Sequence, residues 1–300
     1  MRVLFAAPDW DAWAPHLRSA CPEADFTTAG DPAGFDVILH APSSGLNDFT
    51  PFTRARLVQS LWAGVERIVG NPTLTQPLCR MVDPGLAQGM AEYCTGWVLR
   101  AHLGMDRYQQ DGQWRSATLP PLAQDRRVTI LGMGELGRRL AAMLAGIGFQ
   151  VTGWSASGRA LPGVTALPGP ALVQALEGAE ILVTLLPDTP DTRNLLDARR
   201  LAVLPRGAVL INPGRGTLID DMALIAALDR GALAHAVLDV FRSEPLPPKH
   251  PFWSHPGVTV TPHIAAATRP ETAAPVATDN LRRAMAGQPL RFLVDRQRGY

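Results

Sequence analysis

Residues 132 to 137 read Gly-Met-Gly-Glu-Leu-Gly and stand between the apolar run Arg127-Val128-Thr129-Ile130-Leu131 and a helical pattern over Arg138 to Ala145. A lone glycine triplet of this kind constrains little. With a strand before it and a helix after it, each glycine has a task. Gly132 permits a tight turn, Gly134 lets a pyrophosphate approach the backbone, and Gly137 lets helix and strand pack closely. The first-turn N–H groups of the helix, and its dipole, then favour an anion at that end. The arrangement predicts a dinucleotide-binding α/β unit.

Strand candidates follow the motif at regular intervals, at Gln150–Trp154, Ile181–Leu185, Ala208–Asn212, His235–Val240 and Val258–Thr261, with helical segments between them. That alternation predicts a parallel sheet, and the unbroken apolar character of the runs predicts a sheet covered on both faces. Ligands gather at the carboxyl ends of such strands. Those ends carry Ser155, Leu186-Pro187, Asn212 to Gly216, Asp239 and Thr261-Pro262-His263. More than a third of the chain precedes the glycines. Its short apolar runs at Val3–Ala6, Val37–Leu39 and Arg67–Val69 predict a second α/β layer, and Met90–Tyr108 predicts a long helix joining the halves.

An acid about 20 positions beyond the glycines ordinarily binds an adenosine ribose hydroxyl. The corresponding stretch, Gly153-Trp154-Ser155-Ala156-Ser157-Gly158-Arg159, contains none. A carboxylate there would repel a 2′-phosphate, whereas Ser155, Ser157 and Arg159 donate hydrogen bonds to one. The expected cofactor is NADP(H), with NAD(H) possible.

Arg215, Glu244 and His263 lie in the loops Asn212-Pro213-Gly214-Arg215-Gly216, Arg242-Ser243-Glu244-Pro245-Leu246 and Thr261-Pro262-His263-Ile264-Ala265. Singly, each has an ordinary structural explanation. Together, at the ligand edge of one sheet, they meet the needs of 2-oxo acid reduction. Arg215 offers a fixed fork of donors to a carboxylate and carbonyl. His263 offers a proton to the carbonyl oxygen, and Glu244 orients the imidazole and favours its charged form.

The motifs GMGELG, Leu185-Leu186-Pro187 with Thr189 to Asn194, INPGRG, LDVF-x-x-EPLP and TPHIAA, in this order, resemble the D-isomer-specific 2-hydroxyacid dehydrogenase family. Trp154-Ser155-x-Ser157, the His-Pro-x-Trp pattern ending at Trp253, the Thr-Arg-Pro after His263 and the terminal Asp295 to Tyr300 resemble its glyoxylate/hydroxypyruvate reductase A subgroup. The resemblance implies two Rossmann-like or flavodoxin-like α/β domains. A smaller substrate-binding domain would comprise residues 1–93 and 271–300, with a central cofactor domain of 94–270 and hinge closure over the ligand. It implies reduction of glyoxylate and hydroxypyruvate, a homodimer, Arg215 as substrate anchor, and His263 as acid/base with Glu244 as its partner; the cytoplasmic location expected of the chain rests instead on its cysteine usage and its lack of a long apolar segment. The loop Leu61-Trp62-Ala63-Gly64-Val65 would hold the substrate carboxylate through backbone N–H groups; a plain turn at a strand entry is the alternative. Met133, Glu135 and Leu136 would meet the pyrophosphate. Leu186, Pro187, Asn212, Pro213, Asp239 and Ala265 complete the expected cofactor contacts. Ala156 and Gly158 stand where similar reductases often carry further basic residues, so preference for NADP is expected to be modest. Trp62, Trp10 and Trp13 are candidates to shape a small pocket, and other 2-oxo acids stay open as substrates.

Two rival classes are a dinucleotide-sensing corepressor on the same fold and a metal-dependent hydrolase using His250, His255 and His263. Pro251 and Pro256 deny the latter a helical ligand spacing. The net charge of +1 gives no footprint for nucleic acid or an anionic membrane. Cys21, Cys79 and Cys94 form no CxxC and are read as core residues of a protein in a reducing compartment. No stretch approaches the roughly 18 apolar residues of a membrane span.

Overall fold

All pairings between strands in the described residues are parallel, and they form two sheets. The computed structural model describes residues 1–107 and 119–300. It separates into two units, Met1–Leu86 with Ala267–Tyr300, and Ala87–Ala266.

The first unit contains β1 (Arg2–Ala6), α1 (Trp10–Ala20), β2 (Asp25–Thr27), β3 (Val37–His40), β4 (Leu57–Ser60), β5 (Leu78–Cys79) and a C-terminal helix, Pro270–Ala286. Its strand order is β2-β1-β3-β4-β5, one of the two common doubly wound orders. Alternate residues of one strand serve opposite faces. Val3, Phe5, Val37, Leu39 and Leu57 pack with Trp13 and Leu17 of α1 and Ala273, Ala277 and Leu281 of the C-terminal helix. Leu4, Ile38 and Val58 pack with Phe35, Phe49, Phe52 and Ile68. Both faces are covered, which is why these strands lack a polar alternation.

Arg67–Val69 is not a strand. Ile68 N and Val69 N both donate to Val65 O in a tight turn, and Ile68 reaches the core from there. The long helix α2 spans Pro84–Leu103, six residues ahead of its expected start. Asp83 caps it, accepting from Gly85 N at 2.9 Å and Leu86 N at 3.1 Å, and Pro84 fills the first position, where a missing N–H costs nothing. Gly104, at φ 62°, ends it. Tyr108, the expected last residue, lies outside the described residues.

The second unit continues with β6 (Arg127–Leu131), α3 (Glu135–Ile147), β7 (Gln150–Trp154), β8 (Val164–Leu167), α4 (Leu172–Glu177), β9 (Ile181–Thr184), α5 (Ala198–Leu201), β10 (Ala208–Asn212), α6 (Asp221–Asp229), β11 (Leu233–Leu238) and β12 (Val258–Val260). The order β12-β11-β10-β9-β6-β7-β8 places β6 between β9 and β7, so the winding reverses there and leaves a crevice at the carboxyl end of β6. Val128, Ile130, Ile181, Val183 and Ile211 face Met90, Cys94, Val98, Leu140 and Leu144. Leu131, Leu182, Leu210 and Leu238 face Leu172, Leu176, Leu201 and Leu224. Three expected strands end or start up to two residues from their observed limits, and β8 went unexpected because Val164–Leu167 is only partly buried at the sheet edge. Cys21, Cys79 and Cys94 are free and buried. Among the described residues no helix is long and apolar enough to cross a membrane.

Candidate active site

The turn from β6 into α3 needs its glycines. Gly132 has φ +107°, and a Cβ there would lie 2.6 Å from the Leu185 carbonyl oxygen; a Cβ on Gly137 would lie 1.8 Å from the Gly132 carbonyl oxygen. A Cβ on Gly134, the N-cap of α3, would meet nothing within 4 Å, and no side chain caps the helix. The open side of the turn therefore presents first-turn N–H groups of Glu135 to Gly137 to an incoming anion, which fits a dinucleotide pyrophosphate. Gly153 in β7 makes room for Met133, whose Sδ lies 2.5 Å from where a Gly153 Cβ would be.

At the end of β7, Trp154 Nε1 donates to Gly169 O at 3.2 Å, and Ser155 N donates to Leu167 O at 3.2 Å. Gly158 N returns to Ser155 O at 3.2 Å, closing a turn in which the Ser155 and Ser157 hydroxyls stand 3.5 Å apart. Gly158 sits at φ +59° with Pro168 against it, 3.0 Å from a would-be Cβ. Arg159 follows this turn and is exposed.

The loop after β10 is shaped by Asn212, which is 1% exposed. Its Oδ1 accepts from Thr184 Oγ1 at 2.6 Å and Gly214 N at 3.1 Å, and its Nδ2 donates to Arg215 O at 3.0 Å. Arg215 Nη1 donates to Gly214 O at 2.7 Å. Gly216 lies so close to the next loop that a Cβ would be 2.1 Å from the Phe241 carbonyl carbon. Burial alone would raise the Asp188 carboxyl. Hydrogen bonding from Arg193 and the positive charges of Arg193 and Arg215 outweigh it and hold Asp188 below the usual carboxylate range.

The loop after β11 carries Glu244. Its Oε1 accepts from Phe241 N at 2.9 Å, and its Oε2 lies 2.8 Å from His263 Nδ1. The neighbouring Arg242 is tied to Asn194 Oδ1 and the Ile219 carbonyl, and lies 3.4 Å from Asp221. With the carboxylate accepting, Nδ1 carries the ring proton donated to Glu244, and Nε2 remains to exchange a proton with a ligand. The His263 side chain is half exposed. Its backbone is in the left-handed region, at φ 54°, and its N–H donates to Asp239 O at 2.9 Å and Thr261 O at 3.0 Å. Asp239, wholly buried, accepts from Ile264 N and Ala265 N, both at 2.9 Å, and from Thr261 Oγ1 at 2.6 Å.

Glu244 and His263 thus pair directly, and Arg215 is on the loop packed against the one that carries Glu244. His250, His255 and His263 face three different carboxylates, Asp221, Asp229 and Glu244. Among the described residues no three His, Cys, Asp or Glu side chains converge on a metal-sized space.

In the first unit, Leu61–Val65 leaves β4 rather than entering a strand. Leu61 N donates to His40 O at 2.8 Å, Thr268 Oγ1 donates to Leu61 O at 3.0 Å, and the Ser60 hydroxyl both accepts from Trp62 N at 3.1 Å and donates to Trp62 O at 3.0 Å. Trp62 and Trp10 are partly buried against the cluster that contains Trp13.

The sequence profile of the D-isomer specific 2-hydroxyacid dehydrogenase family, NAD binding domain, matches residues 97–265. The chain is 39% identical to glyoxylate/hydroxypyruvate reductase A of Serratia proteamaculans (strain 568), over the full length of both. It superposes on a D-isomer specific 2-hydroxyacid dehydrogenase from Xanthobacter autotrophicus Py2, solved in complex with NADPH and MES, with a TM-score of 0.93 at 40% identity, covering 100% of this chain and 99% of that one. For the NADPH-dependent glyoxylate/hydroxypyruvate reductase of Sinorhizobium meliloti, solved with NADP and sulfate, the TM-score is 0.88 at 34% identity, with 100% and 99% covered.

Proposed function

This chain belongs to the D-isomer-specific 2-hydroxyacid dehydrogenase family, and on that premise we propose that it reduces small 2-oxo acids with NADPH, glyoxylate to glycolate and hydroxypyruvate to D-glycerate. The observation that carries the chemistry is the 2.8 Å pairing of His263 with Glu244 at the ligand edge of the sheet. The full-length similarity to reductases named for these substrates supports their choice.

The bound cofactor supplies a hydride to the carbonyl carbon. Its pyrophosphate is assigned to the N–H groups of the β6–α3 turn, and its 2′-phosphate to Ser155, Ser157 and Arg159. Leu186, Pro187, Asn212, Pro213, Asp239 and Ala265 are assigned to the remainder, at the strand ends. Arg215 grips the substrate carboxylate and polarises the carbonyl with a planar pair of donors. Leu61–Val65 is assigned to the carboxylate through backbone N–H groups. His263 delivers the proton from Nε2 to the carbonyl oxygen, so that one hydride and one proton convert the carbonyl to a hydroxyl. Glu244 fixes the ring and offsets the charge of its imidazolium. In oxidation of a hydroxy acid the same nitrogen takes the proton back. A cytoplasmic homodimer completes the reading, and the free buried thiols suit a reducing compartment.

NADPH consumption with glyoxylate and with hydroxypyruvate, in the parent and in His263→Ala, tests the assignment. The variant is expected to lose on the order of 10² to 10⁴ in kcat. Undiminished turnover overturns the role of His263, and a preference for aromatic 2-oxo acids overturns the substrate. Arg215→Lys keeps the charge but loses the fork, and is expected to cut kcat/KM about 100-fold. Sedimentation of the purified chain as a monomer would remove the dimer.

A further inference from the structure

The partners of Asp239 lead out of the site to a side chain that none of the motifs includes. A carboxylate only accepts, so the single hydroxyl proton of Thr261 lies on its 2.6 Å bond to Asp239 Oδ1. The Thr261 lone pairs are left for Tyr93, whose hydroxyl is 2.7 Å away and must be the donor, across 168 positions of sequence. Burial, reinforced by the charge of Asp239, pushes the Tyr93 phenol up to about 12, so it keeps its proton at neutral pH.

Tyr93 is rigidly held. It lies on α2 beside Met90, Ala91, Cys94 and Val98, which pack in one cluster with Ala265, and its ring meets Trp97 edge-on at 6.2 Å. At the other end of the chain of bonds, Asp239 grips Thr261, Ile264 and Ala265, the residues that bracket His263. His263 itself occupies a backbone conformation that a residue with a Cβ rarely adopts unless its surroundings enforce it.

We propose that Tyr93 and Thr261 are positioning residues for the reaction, fixing the His263 turn through Asp239 and with it the point from which the imidazole meets the substrate. This rests on the reading of His263 as proton donor. Neither hydroxyl needs to touch a ligand. Their effect falls on the reacting geometry, where a displacement of about 1 Å costs up to about 100-fold in rate.

The test uses NADPH-dependent glyoxylate reduction by the full chain. Thr261→Val is expected to lower kcat about 10-fold while leaving KM for glyoxylate within about threefold, and Thr261→Ser to restore kcat to within about threefold of the parent. Tyr93→Phe, which removes only the donor, is expected to lower kcat about threefold. In a His263→Ala background Thr261→Val should cost nothing more, because the group it positions is gone. Should Thr261→Val fail to fold, Tyr93→Phe and its double variant with His263→Ala decide the matter. The proposal falls if these variants turn over like the parent, if serine does not rescue, or if the loss is the same without His263. Inactive His263→Ala beside fully active Tyr93→Phe and Thr261→Val removes the positioning role alone. Active His263→Ala removes the functional reading as well.

Discussion

His263 Nδ1 and Glu244 Oε2 are 2.8 Å apart, and the second oxygen of the same carboxylate is occupied by the Phe241 amide at 2.9 Å. The Glu244 side chain therefore cannot swing without giving up a backbone bond, and the imidazole is held in one tautomer. Glu244→Gln keeps the shape but can present an N–H to the ring and select the other tautomer. We expect kcat to fall about 10- to 100-fold, read by steady-state NADPH oxidation. An unchanged kcat would mean that the pairing is only structural.

The glycines of α3 differ in what they tolerate. Gly137→Ala forces a Cβ to within 1.8 Å of the Gly132 carbonyl oxygen and should open the β6–α3 turn, abolishing detectable NADPH binding by fluorescence titration. Gly146 on the same helix has nothing within 4 Å of its would-be Cβ. Gly146→Ala should instead stabilise the protein by roughly 0.5–1 kcal/mol, visible as a raised thermal midpoint with unchanged cofactor affinity.

Cofactor preference should respond differently at two positions of the turn after β7. Ala156→Arg adds a cation at an exposed site with no positive φ, and is expected to raise the kcat/KM ratio of NADPH over NADH by about 10-fold. Gly158→Arg must place a side chain at φ +59° against Pro168 and should achieve less while lowering the thermal midpoint. Ser155→Asp should shift the ratio towards NADH by charge repulsion. If all three leave it unchanged, the adenosine phosphate is not held here.

Asp36 links pH to the stability of the first unit. Its burial alone would raise the carboxyl, but the Arg2 amide at 2.8 Å and the Arg54 guanidinium at 2.7 Å bring it below its ordinary value. A carboxyl lowered in the folded state stabilises above its unfolded pKa of about 3.9, and that stabilisation is lost as pH falls through the folded value. Asp36→Asn should therefore cost about 2 kcal/mol at pH 7 in urea unfolding, with the gap to the parent closing below about pH 4. A gap that is the same at pH 3 and pH 7 would refute the charge-dependent account.

The second unit was the more legible in sequence. Arg127–Leu131, Gln150–Trp154 and Ala208–Asn212 are strands at the expected residues, because each is a short, largely apolar run stopped at once by turn-forming residues, Gly132 after Leu131, Ser155 after Trp154 and Pro213-Gly214 after Asn212. The first unit misled in an instructive way. Leu57–Ser60 contains Gln59 and does not read as a core strand, yet Gln59 is wholly buried. Its Nε2 donates to Ser60 O at 2.9 Å and Arg80 O at 3.2 Å, and its Oε1 accepts from Asn280 Nδ2 at 2.8 Å. A polar side chain becomes a core residue when distant groups satisfy it. Arg67–Val69 shows the converse, since apolar residues reach a core from a turn as readily as from a strand.

The sequence by itself determined the dinucleotide turn, the parallel sheet after it, the absence of an acid after Trp154, and the candidacy of Arg215, Glu244 and His263. These are local matters, because glycine, proline and charge act within a few residues of where they stand. Only the tertiary structure decided that Glu244 and His263 share a proton-bearing bond, that Gly216 packs the Arg215 loop against Phe241, and that Tyr93 reaches the His263 turn through Thr261 and Asp239. Hydrogen bonds form at distances near 3 Å, here between groups as far apart in sequence as Tyr93 and Thr261. The parallel crossovers, not the order of residues, bring those groups within reach.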